Sequence, residues 1–312
     1  MLPDLPICVS QALFFMVQPP LLKPGDRVSI VAPAKVIDPE RLSEGIKIIA
    51  NWGFEIQLGK HIYNRDNLFA GTDSERLQDL QEAMDDPEVR AIFCARGGYG
   101  TSRIIDKLNL QHFKSNPKWV CGFSDITALN GLISNHGVMS VHTIMPAMLK
   151  KDSRVSLDSL NKFLLTGSDE IHFPAHSDNR IGEVDGEIIG GNLSMLCSCI
   201  GTFSEMDFAD RILFIEEVDE YLYKLDRMIN QLLRMGKLSK LRGLVIGWMT
   251  NMKNGQINFG KNAHKIISEA VEEFKYPLCF GAPIGHEEPN LAIPIGKTVH
   301  LKVSDKGTLI SF

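Results

Sequence analysis

Ser124 stands where an apolar, strand-like run, Lys118-Trp119-Val120-Cys121, gives way to a helix-like run from Asp125 to Leu132. A serine at such a corner exposes its hydroxyl and faces the free backbone N–H groups of a helix start. A nucleophile attacking a carbonyl requires that setting, together with a base and an acid that orients the base. Two later segments offer them: Ile212-Leu213-Phe214-Ile215-Glu216-Glu217 and Pro283-Ile284-Gly285-His286.

Each of these signals has a plainer reading. A serine before Asp125 is also an ordinary helix N-cap, and Ile126 stands where a Gly-x-Ser-x-Gly elbow carries its second glycine. Glu216 and Glu217 end an apolar strand, where on their own they read as surface acids; on the functional reading one of them orients an imidazole. Among nine histidines, His286 is singled out by the Pro-Ile-Gly-His turn, a loop context that exposes its side chain. His142, at the end of an earlier strand in the half that carries Ser124, is its rival. No two histidines have metal-ligand spacing, so no metal is expected.

A third segment, Arg96-Gly97-Gly98-Tyr99-Gly100, follows a strand and lets backbone approach a ligand closely. It is neither Gly-x-Gly-x-x-Gly nor a Walker loop, since no Gly-Lys-Ser/Thr follows. A phosphate cradle, a tight turn and a backbone wall for a carbonyl oxyanion all fit it locally; Ser124 at the end of the next strand favours the last. Arg96 is a candidate partner for a substrate carboxylate, or else a brace for the loop.

The elements that must position these groups alternate between strand and helix from Arg27 to about His142. Arg27 to Ala32 is a β-branched run. Asp38-Pro39 opens a helix with Leu42, Ile46 and Ile49 on one face, stopped at Gly53. Phe54 to Leu58 is a second strand, and Thr72-Asp-Ser-Glu75 is a capping box before a helix with Leu77, Leu80 and Met84. Val89–Cys94, Lys118–Cys121 and Val138–Val141 are the third to fifth strands. This alternation predicts a parallel sheet with active groups beyond the carboxyl ends of its strands, where both the glycine loop and Ser124 fall.

Residues 149–182 read as a linker or crossover, richer in Lys, Asp, Ser and Pro, with one short amphipathic stretch from Leu157 to Leu165. A second domain, 183–312, then carries the acid and base, and 19–148 is the nucleophile domain. The second domain's elements are Glu183 to Gly190, a helix after Asn192, a strand from Arg211 to Ile215 and a helix with Leu222, Leu225, Ile229 and Leu232 on its face, ending at Gly236. Gly243–Gly247 and a helix from His264 to Phe274 follow, then short strands and turns from Leu291. Residues 1–18 form a leading extension, of which 1–15 are expected to have no functional role.

The 312 residues suffice for two cores. Hydrophobic content of 44% with 23% charged residues is that of a soluble globular protein. A net charge of −5 argues against a nucleic-acid partner. No run approaches a membrane span, and the start makes a poor secretory signal. The six cysteines form no Cys-x-x-Cys pair, which suits a reducing cytoplasm better than a disulfide framework.

Taken in order, Ala70-Gly-Thr-Asp-Ser-Glu-Arg76, Cys94-Ala-Arg-Gly-Gly-Tyr-Gly100, Asn116-Pro-Lys118, Gly122-Phe-Ser-Asp-Ile-Thr127, Gly190-Gly-Asn-Leu-Ser194, Leu213-Phe-Ile-Glu-Glu217 and Pro283-Ile-Gly-His286 resemble the LD-carboxypeptidase family of serine peptidases. That family includes muramoyltetrapeptide carboxypeptidases and microcin C self-immunity peptidases, and the likeness runs over about residues 20–312. It implies an α/β fold: an N-terminal parallel-sheet, Rossmann-like domain of the class I glutamine amidotransferase type, and a C-terminal mixed β/α domain of the swivelling type. It further implies a Ser–His–Glu triad falling on Ser124, His286 and Glu216, with Glu217 the less favoured acid. The implied oxyanion donors are the N–H groups of Asp125 and Gly98. From their place in the same glycine loop, and not from the resemblance, Arg96, Gly97 and Tyr99 are expected to line the substrate. No metal or organic cofactor, a cytoplasmic location and a homodimer are implied as well.

The implied reaction is hydrolysis of the amide between an L-centre, lysine or diaminopimelate, and the terminal D-alanine of a cytoplasmic muropeptide tetrapeptide. A peptidase of the same chemistry that clears a microcin C-like peptidyl-nucleotide is the alternative. In another class stands a non-catalytic muropeptide or sugar-phosphate binding protein using the Arg96 loop as an anion cradle. Two departures from the family pattern bear on substrate choice. His142-Thr-Ile-Met-Pro146 replaces the frequent His-Gly-Pro, and Glu287-Glu288 follows the base where a glycine is commoner.

Overall fold

In the computed structural model residues 16–149 and 153–312 are described; the expectation for residues 1–15 lies outside them. The run begins with β1 (Arg27–Val31), α1 (Pro39–Asn51), β2 (Glu55–Leu58), α2 (Asp73–Asp85) and β3 (Val89–Cys94). Next come α3 (Gln111–Ser115), β4 (Trp119–Cys121), α4 (Thr127–Asn135) and β5 (Ser140–His142). Local chemistry sets these boundaries. Asp38 caps α1 by accepting from Glu40 N, with Pro39 in the first turn. Thr72 and Glu75 cap α2 reciprocally, each side chain holding the other's backbone N–H. Upstream, Val17 already pairs with Val138, so ordered chain reaches back into the segment 1–18.

The five strands lie parallel in the order β2-β1-β3-β4-β5. Parallel strands joined through helices are buried on both faces; β1, β3 and β4 accordingly read as largely apolar runs, and β5, though it carries Ser140 and His142, is buried throughout.

The stretch 149–182 is more ordered than a crossover. It carries α5 (Arg154–Thr166) and β6 (Glu170–Phe173). Leu157, Leu160, Phe163 and Leu164 of α5 enter the same apolar cluster as Val28, Ile30, Trp119 and Val141, so α5 belongs to the layer that carries Ser124. Burial of four such side chains contributes about 1.5–3 kcal/mol each.

The second sheet is built from β7 (Gly182–Asn192), α6 (Leu193–Ser198), β8 (Ile212–Val218), α7 (Leu222–Arg234), β9 (Gly243–Thr250), α8 (Ala263–Ala270) and β10 (Leu278–Phe280). After these come β11 (Ile293–Ile295), β12 (Thr298–Ser304) and β13 (Gly307–Ser311). The strand order is β10-β9-β8-β7-β12-β13-β6. Its β10 to β7 half is parallel and its β7 to β6 half antiparallel. The fold is therefore mixed α/β with one largely parallel and one mixed sheet. On α7, Leu222, Leu225, Ile229 and Leu232 are the buried residues, the face that their spacing predicts.

β11 does not join the second sheet. It pairs antiparallel with β5, Ile293 opposite His142 and Ile295 opposite Ser140. The chain that has just passed His286 is thus stitched to the edge of the sheet holding Ser124. At the other junction Asn192 N, at the end of β7, donates to Thr127 Oγ1 of α4 at 3.1 Å. Among the described residues no helix is long and apolar enough to cross a membrane.

Candidate active site

Ser124 occupies the turn between β4 and α4, with a single 3₁₀ turn, Ser124–Ile126, leading into the helix. Its φ is +62°, a left-handed conformation that costs a non-glycine residue about 1–3 kcal/mol and is retained where the surroundings over-determine it. The strain turns the side chain out of the line of the strand, as in the sharp strand-to-helix corner that presents a nucleophilic serine. The corner is closely packed: a Cβ on Gly122 would stand 3.0 Å from both γ carbons of Ile126, and Asn130 Nδ2 donates to Gly122 O at 3.2 Å.

The glycine loop after β3 lies directly over this corner. A Cβ built on Gly97 would come 3.3 Å from Ser124 Cβ and 3.4 Å from Asp125 N, so bare glycine leaves room for a substrate oxygen beside that N–H. Gly98, with φ +110°, lies one residue further out against the stem of Lys35. The Asp125 side chain points away into the loop, where Oδ2 accepts from Thr101 N at 2.9 Å. Burial pushes this carboxyl above its ordinary value, with the Thr101 hydrogen bond opposing.

Arg96 turns back to donate from Nη1 to Val36 O at 3.1 Å, which braces the loop. The exposed Tyr99 packs against Phe69, ring centres 5.8 Å apart and planes tilted at 46°. The main support of the loop is Arg76, buried to 1% exposure. It donates to Gly100 O at 2.9 Å, pairs with Asp73 and lies over the Phe69 ring. Sequence reading assigned Arg76 no role, although it closes the Ala70 to Arg76 motif.

Glu216 and His286 meet across 70 residues. His286 Nδ1 donates to Glu216 Oε2 at 2.7 Å, leaving Nε2 free to accept a proton. The imidazole is 16% exposed and the carboxylate wholly buried. Burial raises the Glu216 carboxyl, opposed by the hydrogen bond and charge of His286. Gly285 permits the contact, since its φ is +124° and a Cβ there would stand 2.9 Å from Glu216 Cβ and Oε2.

Phe123, immediately before Ser124, packs its ring with centre 4.7 Å from that of His286. The turn that carries Ser124 and the His286–Glu216 pair are therefore in contact through Phe123, although they hang from different sheets. Sequence reading did not single out Phe123.

The two glutamates separate cleanly, and neither is the surface acid that its strand-end position suggests. Glu217 is 2% exposed. It accepts from Asn192 Nδ2 at 2.9 Å, from Ser194 N at 2.8 Å and from Ser194 Oγ at 2.6 Å, tying down the start of α6. Glu216 reaches the histidine because alternate residues of β8 face opposite sides of the sheet.

His142 also differs from His286. It is fully buried, with neither ring nitrogen hydrogen-bonded, and sits edge-on to Phe123 and Phe214 with ring centres at 5.5 and 5.0 Å. Burial, then the nearby His286, hold its pKa down to about 3. No acid orients it.

The chain is similar to known proteins over most of its length. The family model described as LD-carboxypeptidase N-terminal domain matches residues 28–143, and that described as LD-carboxypeptidase C-terminal domain matches residues 185–301. A probable murein peptide carboxypeptidase of Bacillus subtilis (strain 168) is 33% identical, over 94% of each chain. A murein tetrapeptide carboxypeptidase of Pseudomonas aeruginosa is 31% identical over 88% of this chain and 93% of its own. The crystal structure of muramoyltetrapeptide carboxypeptidase from Oxalobacter formigenes superposes with a TM-score of 0.84 at 26% identity, covering 91% of this chain and 98% of that one.

Proposed function

The chain belongs to the LD-carboxypeptidase family, and from that premise we propose that it is a serine carboxypeptidase that removes the terminal D-alanine of murein tetrapeptides. The relatives that carry this reading are a murein tetrapeptide carboxypeptidase and a probable murein peptide carboxypeptidase, each matched over nearly its whole length. The observation that carries the mechanism is the 2.7 Å contact between His286 Nδ1 and Glu216 Oε2, with the residue before Ser124 packed on the same imidazole.

In the proposed reaction His286 Nε2 takes the proton from Ser124 Oγ as that oxygen attacks the carbonyl carbon of the L–D amide. Glu216 fixes the imidazole tautomer and offsets the charge that the ring acquires. That pairing matters in a buried setting, where neither ion is stable alone. The N–H groups of Asp125 and of the Gly97–Gly98 segment hold the oxyanion, each contributing about 3 kcal/mol in hydrolases of this kind. The histidine returns its proton to the leaving D-alanine amine. Water, with His286 again as base, then cleaves the acyl-serine. The guanidinium of Arg96, beyond its contact with Val36, serves the substrate's terminal carboxylate, and Gly97 and Tyr99 line the approach.

The same reading takes the protein as a cytoplasmic homodimer. The five free cysteines among the described residues are in keeping with a reducing compartment. The test is to incubate the purified protein with a mixed murein digest and follow products by mass spectrometry. Loss of one alanine from tetrapeptides is expected. An unchanged digest, with no labelling of Ser124 by a fluorophosphonate, would refute the reading.

A further inference from the structure

Just ahead of α5 and along it, Ser153, Ser156 and Ser159 recur every third residue, which sets them along one side of the helix. Each hydroxyl meets the chain that has just left His286. Ser153 Oγ donates to Glu288 Oε1 and Ser156 Oγ to Glu288 Oε2, both at 2.7 Å. Ser156 Oγ also accepts from Asn290 N at 2.8 Å. Ser159 Oγ accepts from Ala292 N at 3.2 Å. Asn290 Oδ1 in turn accepts from Gly285 N at 2.9 Å, the residue that abuts Glu216 and precedes His286. An unbroken hydrogen-bonded path therefore leads from α5 to the backbone of the histidine turn.

The two ends of this path belong to different layers. α5 is packed into the core of the first sheet, from which Ser124 is presented, whereas Glu216 rides on β8 of the second. Proton transfer between a serine and a histidine needs heavy atoms within about 3 Å, so the relative placement of the layers bears directly on the rate. The anchoring contacts suit that demand. Ser156 and Asn290 are buried to 0% and 2% exposure, and hydroxyl-to-carboxylate bonds are stronger than neutral ones. A carboxylate at the start of a helix is further favoured by the helix dipole.

We propose that Ser153, Ser156, Glu288 and Asn290 form a latch that positions His286 against Ser124, an inference that rests on the reading of those two as base and nucleophile. They are positioning residues: they touch neither substrate nor reacting atoms and act through the Gly285–His286 backbone.

The experiment compares wild type with Glu288→Ala, Glu288→Gln, Ser156→Ala and the double variant Glu288→Ala/Ser156→Ala. It measures kcat and KM on a murein tetrapeptide, the rate of fluorophosphonate labelling of Ser124, and Tm. Glu288→Ala and Ser156→Ala are expected to lower kcat and the labelling rate in parallel by roughly 10- to 100-fold, the scale of an ångström-sized misplacement, with KM little changed. Glu288→Gln, which keeps an acceptor for one serine, should recover part of the loss. The double variant should be no worse than the worse single one, as partners in one contact are not additive. Unchanged kcat and labelling in an active enzyme would overturn the latch alone. So would a rise in KM at constant kcat, which would make Glu288 a substrate contact, or a lowered Tm with undiminished labelling. A wild type that is neither labelled nor active would overturn the hydrolase reading and the latch together.

Discussion

Gly285 lies so close to Glu216 that a single added carbon would collide with it: a Cβ on Gly285 would stand 2.9 Å from both Cβ and Oε2 of the carboxylate. Glu216, hydrogen-bonded to the His286 imidazole, is thus buried under the backbone that carries that imidazole. Gly285→Ala must move one of the two, and φ +124° adds about 1–3 kcal/mol of backbone strain. We expect a lower Tm and a kcat loss in the same variant, both read on one purified preparation. Full activity would show that the glutamate is not held by this contact.

Ser124→Ala and His286→Ala are each expected to lower kcat on a tetrapeptide by at least about 10³-fold with the circular dichroism spectrum unchanged. Only Ser124→Ala should abolish covalent labelling outright, since it removes the oxygen that forms the bond. Residual turnover near the wild-type level in either variant would reassign the chemistry.

Glu216→Gln and Glu217→Gln should fail in different ways. The first removes the charge behind the imidazole and should lower kcat by roughly 10²-fold, less than loss of the nucleophile or base. The second leaves a single acceptor oxygen, so either Asn192 or Ser194 faces an NH2 group in place of its acceptor, and it should cost about 1–3 kcal/mol of stability, with a smaller effect on kcat. Urea unfolding and steady-state kinetics on both variants separate the two roles; the reverse pattern would exchange the assignments.

His142 makes a prediction about acid. In the folded protein its pKa is held down to about 3, whereas in the unfolded chain it titrates near the usual value of about 6.5. Between these values the unfolded state binds the extra proton, so stability is lost as pH falls from about 6.5 towards about 3, by up to about 1.4 kcal/mol per unit. His142→Leu, which puts an apolar group between Phe123 and Phe214, should flatten this slope and leave stability above pH ~7 much less affected. Equal slopes in the two proteins, measured by denaturant unfolding across this range, would place the acid sensitivity elsewhere.

The strand-to-helix corner at Ser124 was legible in the sequence because its signal is local. Strand, glycine, serine and helix start follow one another within a dozen residues, and the capping box at Thr72, the Asp38-Pro39 pair and the face of α7 are legible for the same reason. Each is fixed by neighbours a turn or less away. The family motifs carried the same information further, since they fall on the three segments that supply Ser124, Glu216 and His286.

Tertiary structure alone decided what those residues face. Glu216 and Glu217 are adjacent and chemically identical, and only the pleat of β8 against the His286 turn makes one the partner of an imidazole and the other an anchor for α6. His286 was favoured on paper by its turn and motif, with His142 as rival; burial between two phenylalanines and the lack of a hydrogen-bonded acid set His142 apart in the fold. The serines at 153, 156 and 159 read as the polar content of a connecting stretch, and their contacts lie more than 130 residues away. A contact between distant segments depends on how two sheets pack, and no spacing within either segment encodes that.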